Sequence, residues 1–224
     1  MIPTADLRAR VLEAARREPS PPRRQVVLAN LALVGTAIAA LLSVLLTFGG
    51  GLDKDPRPSA FVAGTTLAWA CVALLATWIA LGRGRSMLGR PRLWLAGAAL
   101  VTPALLFAWM LVWNALYPET LRAWAGRPGF LCLDFTLAMG AWPLVALVLA
   151  RRSSDPVHPR ATGAALGAMV GAWTGSLINL NCRIANPAHV ALGHVLPVVI
   201  LVALASWLGM RFITTRVVPA RDWA

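Results

Sequence analysis

The chain has 224 residues, of which 58% are hydrophobic and only 13% charged, and 21 Lys and Arg against 9 Asp and Glu leave a net charge of +12. Water-soluble domains carry about a quarter charged residues, and here the apolar residues fall in long blocks, which excludes both a soluble globular enzyme and a disordered chain. A basic excess of this size would suggest nucleic acid in a soluble protein; in a chain of apolar blocks it is first a matter of membrane topology, and no direct nucleic-acid contact is expected.

The first 25 residues are the longest polar segment. Thr4-Ala5-Asp6 reads as a helix start, with the acidic residue at the positive end of the helix dipole. Leu7, Val11, Ala14 and Ala15 then fall on one face, charged residues occupy the rest, and Pro19–Pro22 ends the helix ahead of the membrane. A helix this short is marginal alone in water, so it reads as a docking element, with Leu7, Arg8, Val11, Leu12 and Ala15 as its partner-binding residues. The plainer alternative is a surface helix whose arginines attract anionic lipid.

About 20 mostly apolar residues cross a bilayer core, and six stretches qualify: Val26–Phe48, Ala60–Gly82, Leu93–Tyr117, Phe130–Ala150, Ala161–Leu180 and Ala191–Phe212. No small-residue cleavage site follows the first, so it is expected to stay as a span and not to act as a signal peptide. The fifth gives the weakest signal, being short and rich in Gly and Ala. The connectors are short and carry breakers such as Gly49-Gly50-Gly51, Pro91, Pro118, Pro128, Pro156 and Pro159. The expected fold is all-α, a polytopic six-transmembrane-helix bundle over residues 26–212, with a tail of residues 1–25 before it and one of residues 213–224 after it.

Orientation follows from the basic residues. With the N-terminus cytoplasmic, the inner segments hold Arg8, Arg10, Arg16, Arg17, Arg23, Arg24, Arg83, Arg85, Arg90, Arg92, Arg151, Arg152, Arg160, Arg211, Arg216 and Arg221. The outer segments hold only Lys54, Arg57, Arg122, Arg127 and Arg183. Sixteen against five places both termini in the cytoplasm.

In the fifth span Gly163, Gly167, Gly171 and Gly175 recur every fourth residue, a stripe along which another helix can approach closely. Packing within the bundle is the favoured reading and a homodimer seam the alternative. The ten tryptophans need no cofactor to explain them: Trp94, Trp113, Trp124 and Trp223 fall near the expected interfaces, and the others pack in or near the spans.

Catalytic signatures are missing: there is no P-loop, GxGxxG, HExxH, CxxC or GxSxG pattern, and no enzyme is expected. Asp134 and His194 are the ionisable residues well inside spans, where such groups are costly and face a partner or a cavity. Cys132 opens the fourth span, and Asn181, Cys182 and His189 lie just before the sixth. On the expected topology, Cys132, Asp134, Cys182, His189 and His194 all sit near the outer face. That set suits a soft or borderline metal ion; the two cysteines could instead pair as a disulfide on an oxidising side, or simply pack as small apolar residues. Cys71, in the middle of the second span, reads as packing.

A short amphipathic tail ahead of six spans, Cys132 within Phe130-Leu131-Cys132-Leu133, and Asn181-Cys182 followed by Pro187, His189, Gly193-His194 and Pro197 together resemble the NrsF-like family of bacterial integral-membrane anti-sigma factors. Around the second cysteine the chain departs from the family's habit, with Asn181 before it and Arg183 after it where His and Pro are frequent. The resemblance implies that Cys132 and Cys182 perceive a signal, and that the cytoplasmic side holds an extracytoplasmic-function sigma factor inactive until the signal releases it. A rival reading from another class is a small transporter or channel built on Asp134, His194 and the glycine stripe; a membrane redox or metalloenzyme ranks last.

Overall fold

The computed structural model describes residue 13 and residues 59–81, 91–116, 129–152, 157–182 and 187–214. All of these except Glu13 lie in one compact unit, Leu33–Ala224; in the other unit, Met1–Ala32, Glu13 is helical and exposed. The first expected span, the remainder of the N-terminal tail and residues 215–224 of the C-terminal tail lie outside the described residues.

The described residues of the larger unit are almost all helical, with no strand among them. The helices are α1 (Ser59–Leu81), α2 (Arg92–Leu116), α3 (Phe130–Ala150), α4 (Pro159–Asn181) and α5 (Ala188–Ile213), and all five are long and apolar enough to cross a membrane. Their limits fall within a few residues of the stretches read from the sequence, because the breakers that end an apolar block also end a helix. Pro159 occupies the first turn of α4, where its missing N–H costs nothing, and the Thr162 N–H closes that turn on the His158 carbonyl at 2.9 Å.

Helix α4 is the centre of the described bundle and packs against each of the other four. Some 78% of its most apolar stretch is buried, against 22% for α1 and for α3. A central helix meets protein on every side, so it needs small residues more than apolar ones; this is why the helix with the faintest sequence signal is the most deeply placed. A Cβ on Gly167 would come within 2.6 Å of the Leu201 carbonyl oxygen, and one on Gly171 within 2.6 Å of Val198 Cγ1. A Cβ on Gly163 would meet the Ala205 carbonyl. These three glycines face α5, whereas Gly175 faces Leu106 of α2 at an ordinary 3.6 Å.

These contacts run α4 antiparallel to α5. Gly129 against Gly193 and Gly140 against Leu201 run α3 parallel to α5. The stacked pair Phe61–Trp109 and the edge-on pair Trp78–Trp94 run α1 antiparallel to α2. The core is a continuous apolar cluster through Leu95, Leu144, Val148, Leu166, Met169 and Leu201. Buried hydroxyls are satisfied within their own helices, Thr102 donating to the Ala98 carbonyl at 3.0 Å and Ser176 to that of Ala172 at 3.1 Å. Between helices, the Trp173 indole N–H donates to Thr77 Oγ1 at 3.2 Å and ties α4 to α1.

Candidate functional site

At one end of the bundle, α3 begins, α4 ends and α5 begins. Cys132 lies in the first turn of α3. Cys182 is the residue at which α4 stops: its N–H still closes on the Ile178 carbonyl at 2.8 Å, but its own backbone is extended. The chain then returns as α5 through the α-helical turn Pro187–Val190 and a π-helical turn, Ala191–Val195, before the regular helix Leu196–Leu208.

The π-turn brings the two histidines together. On an α-helix, residues five apart lie about 140° round from one another, which would send His189 and His194 to different faces. In the π-turn the hydrogen bonds reach back five residues, as when the Leu196 N–H donates to the Ala191 carbonyl, and His194 returns over His189 with ring centroids 5.5 Å apart. The sequence contains a reason for the change of phase. Pro197 has no N–H to give the Gly193 carbonyl four residues back, and the Thr136 hydroxyl, which donates to the Cys132 carbonyl at 2.6 Å, lies 3.3 Å from that of Gly193.

Glycine lets α3 and α5 meet at this level. A Cβ on Gly129 would sit 2.5 Å from the His189 carbonyl oxygen, and one on Gly193 would sit 2.8 Å from the Gly129 carbonyl oxygen and 2.9 Å from Cys132 Cβ. The close crossing presses Cys132 against the π-turn.

The ligand atoms of Cys132, Cys182, His189 and His194 all lie within 4.8 Å of one another. His189 and His194 are 3% and 5% exposed, and Cys182 Sγ lies 3.4 Å from His189 Nε2, within reach of a sulfur hydrogen bond. None of Cys71, Cys132 and Cys182 is in a disulfide, so Cys132 and Cys182 are neighbours without being bonded to each other. Cys71 is exposed on α1, away from the group. Two thiols and two imidazoles in this arrangement could hold a metal ion.

Asp134 does not join them. Two positions beyond Cys132 is about 200° round the helix, and the Asp134 side chain is exposed. Four of the five residues considered as ligands are therefore brought together and the carboxylate is left out. Gly129 and Thr136 were not singled out in the sequence, although Thr136 lies one helical turn beyond Cys132 on the same face, and Pro128-Gly129 marks the point where α3 must begin. The tail residues Leu7, Arg8, Val11, Leu12 and Ala15 lie outside the described residues.

A family profile described as NrsF, negative regulator of sigma F, matches residues 14–214. No curated protein and no solved structure matches the chain.

Proposed function

The chain belongs to the NrsF family of negative regulators of sigma F, and from that premise we propose that it is an integral-membrane anti-sigma factor, without catalytic activity, that sequesters an extracytoplasmic-function sigma factor and releases it on an envelope signal. The observation that carries this reading is the family match, which runs from within the N-terminal tail to the last described residues of α5.

The sixteen-to-five asymmetry of basic residues supports a cytoplasmic tail and an outward-facing Cys/His group in a bacterial inner membrane. Leu7, Arg8, Val11, Leu12 and Ala15 are the tail surface proposed to hold the sigma factor, and Cys132 and Cys182 the residues proposed to receive the signal. Transport is the less favoured reading: among the described residues, the buried hydroxyls of Thr102, Thr174 and Ser176 donate to carbonyls of their own helices.

Co-purification from membranes tests the proposal. The full chain is expected to retain a sigma factor that a chain lacking residues 1–25 does not hold, and the transcription driven by that factor should rise on deletion. Full-length protein that brings down no sigma factor from membranes would overturn it.

A further inference from the structure

Four side chains of two chemical types converge here from three separate segments: the first turn of α3, the end of α4 and the π-turn of α5. Packing alone gives no reason for this. Burying two imidazoles is costly in an apolar bundle, and a π-turn gives up regular helix geometry at the point where it stacks them. Such turns recur at functional sites because the displaced residue serves something other than the helix.

The donor set specifies a class of ion. Two sulfurs and two nitrogens are a set that a zinc-class divalent ion takes at the corners of a tetrahedron, with bonds of about 2.3 Å to sulfur and 2.0–2.1 Å to nitrogen. Those lengths imply ligands about 3.3–3.8 Å apart, so a group already within 4.8 Å needs to contract by about 1 Å. Charge points the same way. Two thiolates cancel a 2+ ion and two imidazoles add nothing, so the loaded site is neutral, as a low-dielectric setting favours. The exposed side of α3 given to Asp134 keeps a third anion out of the site.

We propose that Cys132, Cys182, His189 and His194 bind one zinc-class divalent ion in a closed, charge-neutral Cys2His2 site, with the π-turn Ala191–Val195 as the device that supplies both histidines. Binding forms two metal–sulfur and two metal–nitrogen bonds and releases the two thiol protons to solvent; nothing is oxidised or reduced. The site ties α3, α4 and α5 together at one end, and the proposal stands apart from which partner the tail holds.

The test uses the full-length protein in detergent, incubated with Zn2+, freed of excess and assayed for metal content, with Co2+ as the spectroscopic probe. The expected result is one ion per chain and the intense visible bands of tetrahedral thiolate-bound cobalt. Affinity should fall at least about tenfold in Cys132→Ser, Cys182→Ser and His194→Ala, and should be unchanged in Asp134→Asn. A measurement on the unmutated protein guards against misfolded variants: Zn2+ should protect Cys132 and Cys182, but not Cys71, from alkylation. Unmutated protein that retains no zinc, an octahedral cobalt spectrum, or a His194→Ala variant that binds as tightly as the unmutated protein would each overturn the proposal. None of these outcomes bears on whether a sigma factor co-purifies, so the two readings fail separately.

Discussion

Gly193 and Gly175 are both helical glycines, and their surroundings give them opposite tolerances. A methyl group on Gly193 would run into the Gly129 carbonyl and Cys132 Cβ, neither of which can swing aside as a flexible side-chain tip can. Gly193→Ala should therefore cost about 1–3 kcal/mol of overpacking, lower the midpoint of thermal unfolding in detergent and slow the crosslinking of Cys132 to Cys182 by a short bis-maleimide. Gly175→Ala meets only the Leu106 methyl groups at 3.6 Å or more, and alanine is the better helix former by about 1 kcal/mol, so its midpoint should hold or rise. At this scale the sequence shows which residue types are present but not which of them meet. Cys132 and Thr136 share a helix face by spacing alone, whereas Cys132 and Cys182 are fifty residues apart in the chain and meet only once α3 and α4 have packed.

Among the elements, α4 reads poorly in the sequence because the usual signal for a span is contact with lipid, and α4 has little. It is held by close backbone approach and by polar ties, of which Trp173 to Thr77 is the described link to α1. Hydrogen bonds between membrane helices are worth about 0.6 kcal/mol on average and up to about 1.7. Trp173→Phe and Thr77→Val should each destabilise by about that much and, combined, by less than the sum, as a double-mutant cycle of thermal unfolding would show. Helix α5 is the opposite case: its apolar length is plain in the sequence, but its phase is not. It is π-helical at Ala191–Val195 and again at Gly209–Ile213, and hydropathy carries no mark of a change from four-residue to five-residue hydrogen bonding. Pro197 is the one local hint, because it removes the donor that the Gly193 carbonyl would otherwise use.

For the whole molecule, a signal at one end of the bundle needs only to favour one arrangement of the helices over another. About 3 kcal/mol of coupling changes the affinity for a partner more than a hundredfold. On the proposal, an ion that anchors α3, α4 and α5 at a common point would store such a difference. The proposal requires the tail and the Cys/His group to lie on opposite sides of the membrane, and the bias of basic residues makes the same demand. In intact cells, with the native cysteines replaced, an impermeant maleimide should leave Ser20→Cys and Ser153→Cys unlabelled and should label Thr120→Cys. Labelling of Ser20→Cys from outside would remove the tail from the compartment of transcription.

What the chain determined by itself is the class of molecule and where its helices run. Apolar blocks of bilayer length, bounded by proline and glycine, must become helices, because in lipid a backbone can satisfy its hydrogen bonds in few other ways. The five described helices follow those blocks closely. The grouping of Cys132, Cys182, His189 and His194, the exclusion of Asp134 and the central place of α4 were decided only in the folded bundle. They depend on the crossing of Gly129 with Gly193 and on a helix that changes phase by one residue, and contacts between segments far apart in the chain leave no periodicity in the sequence to read.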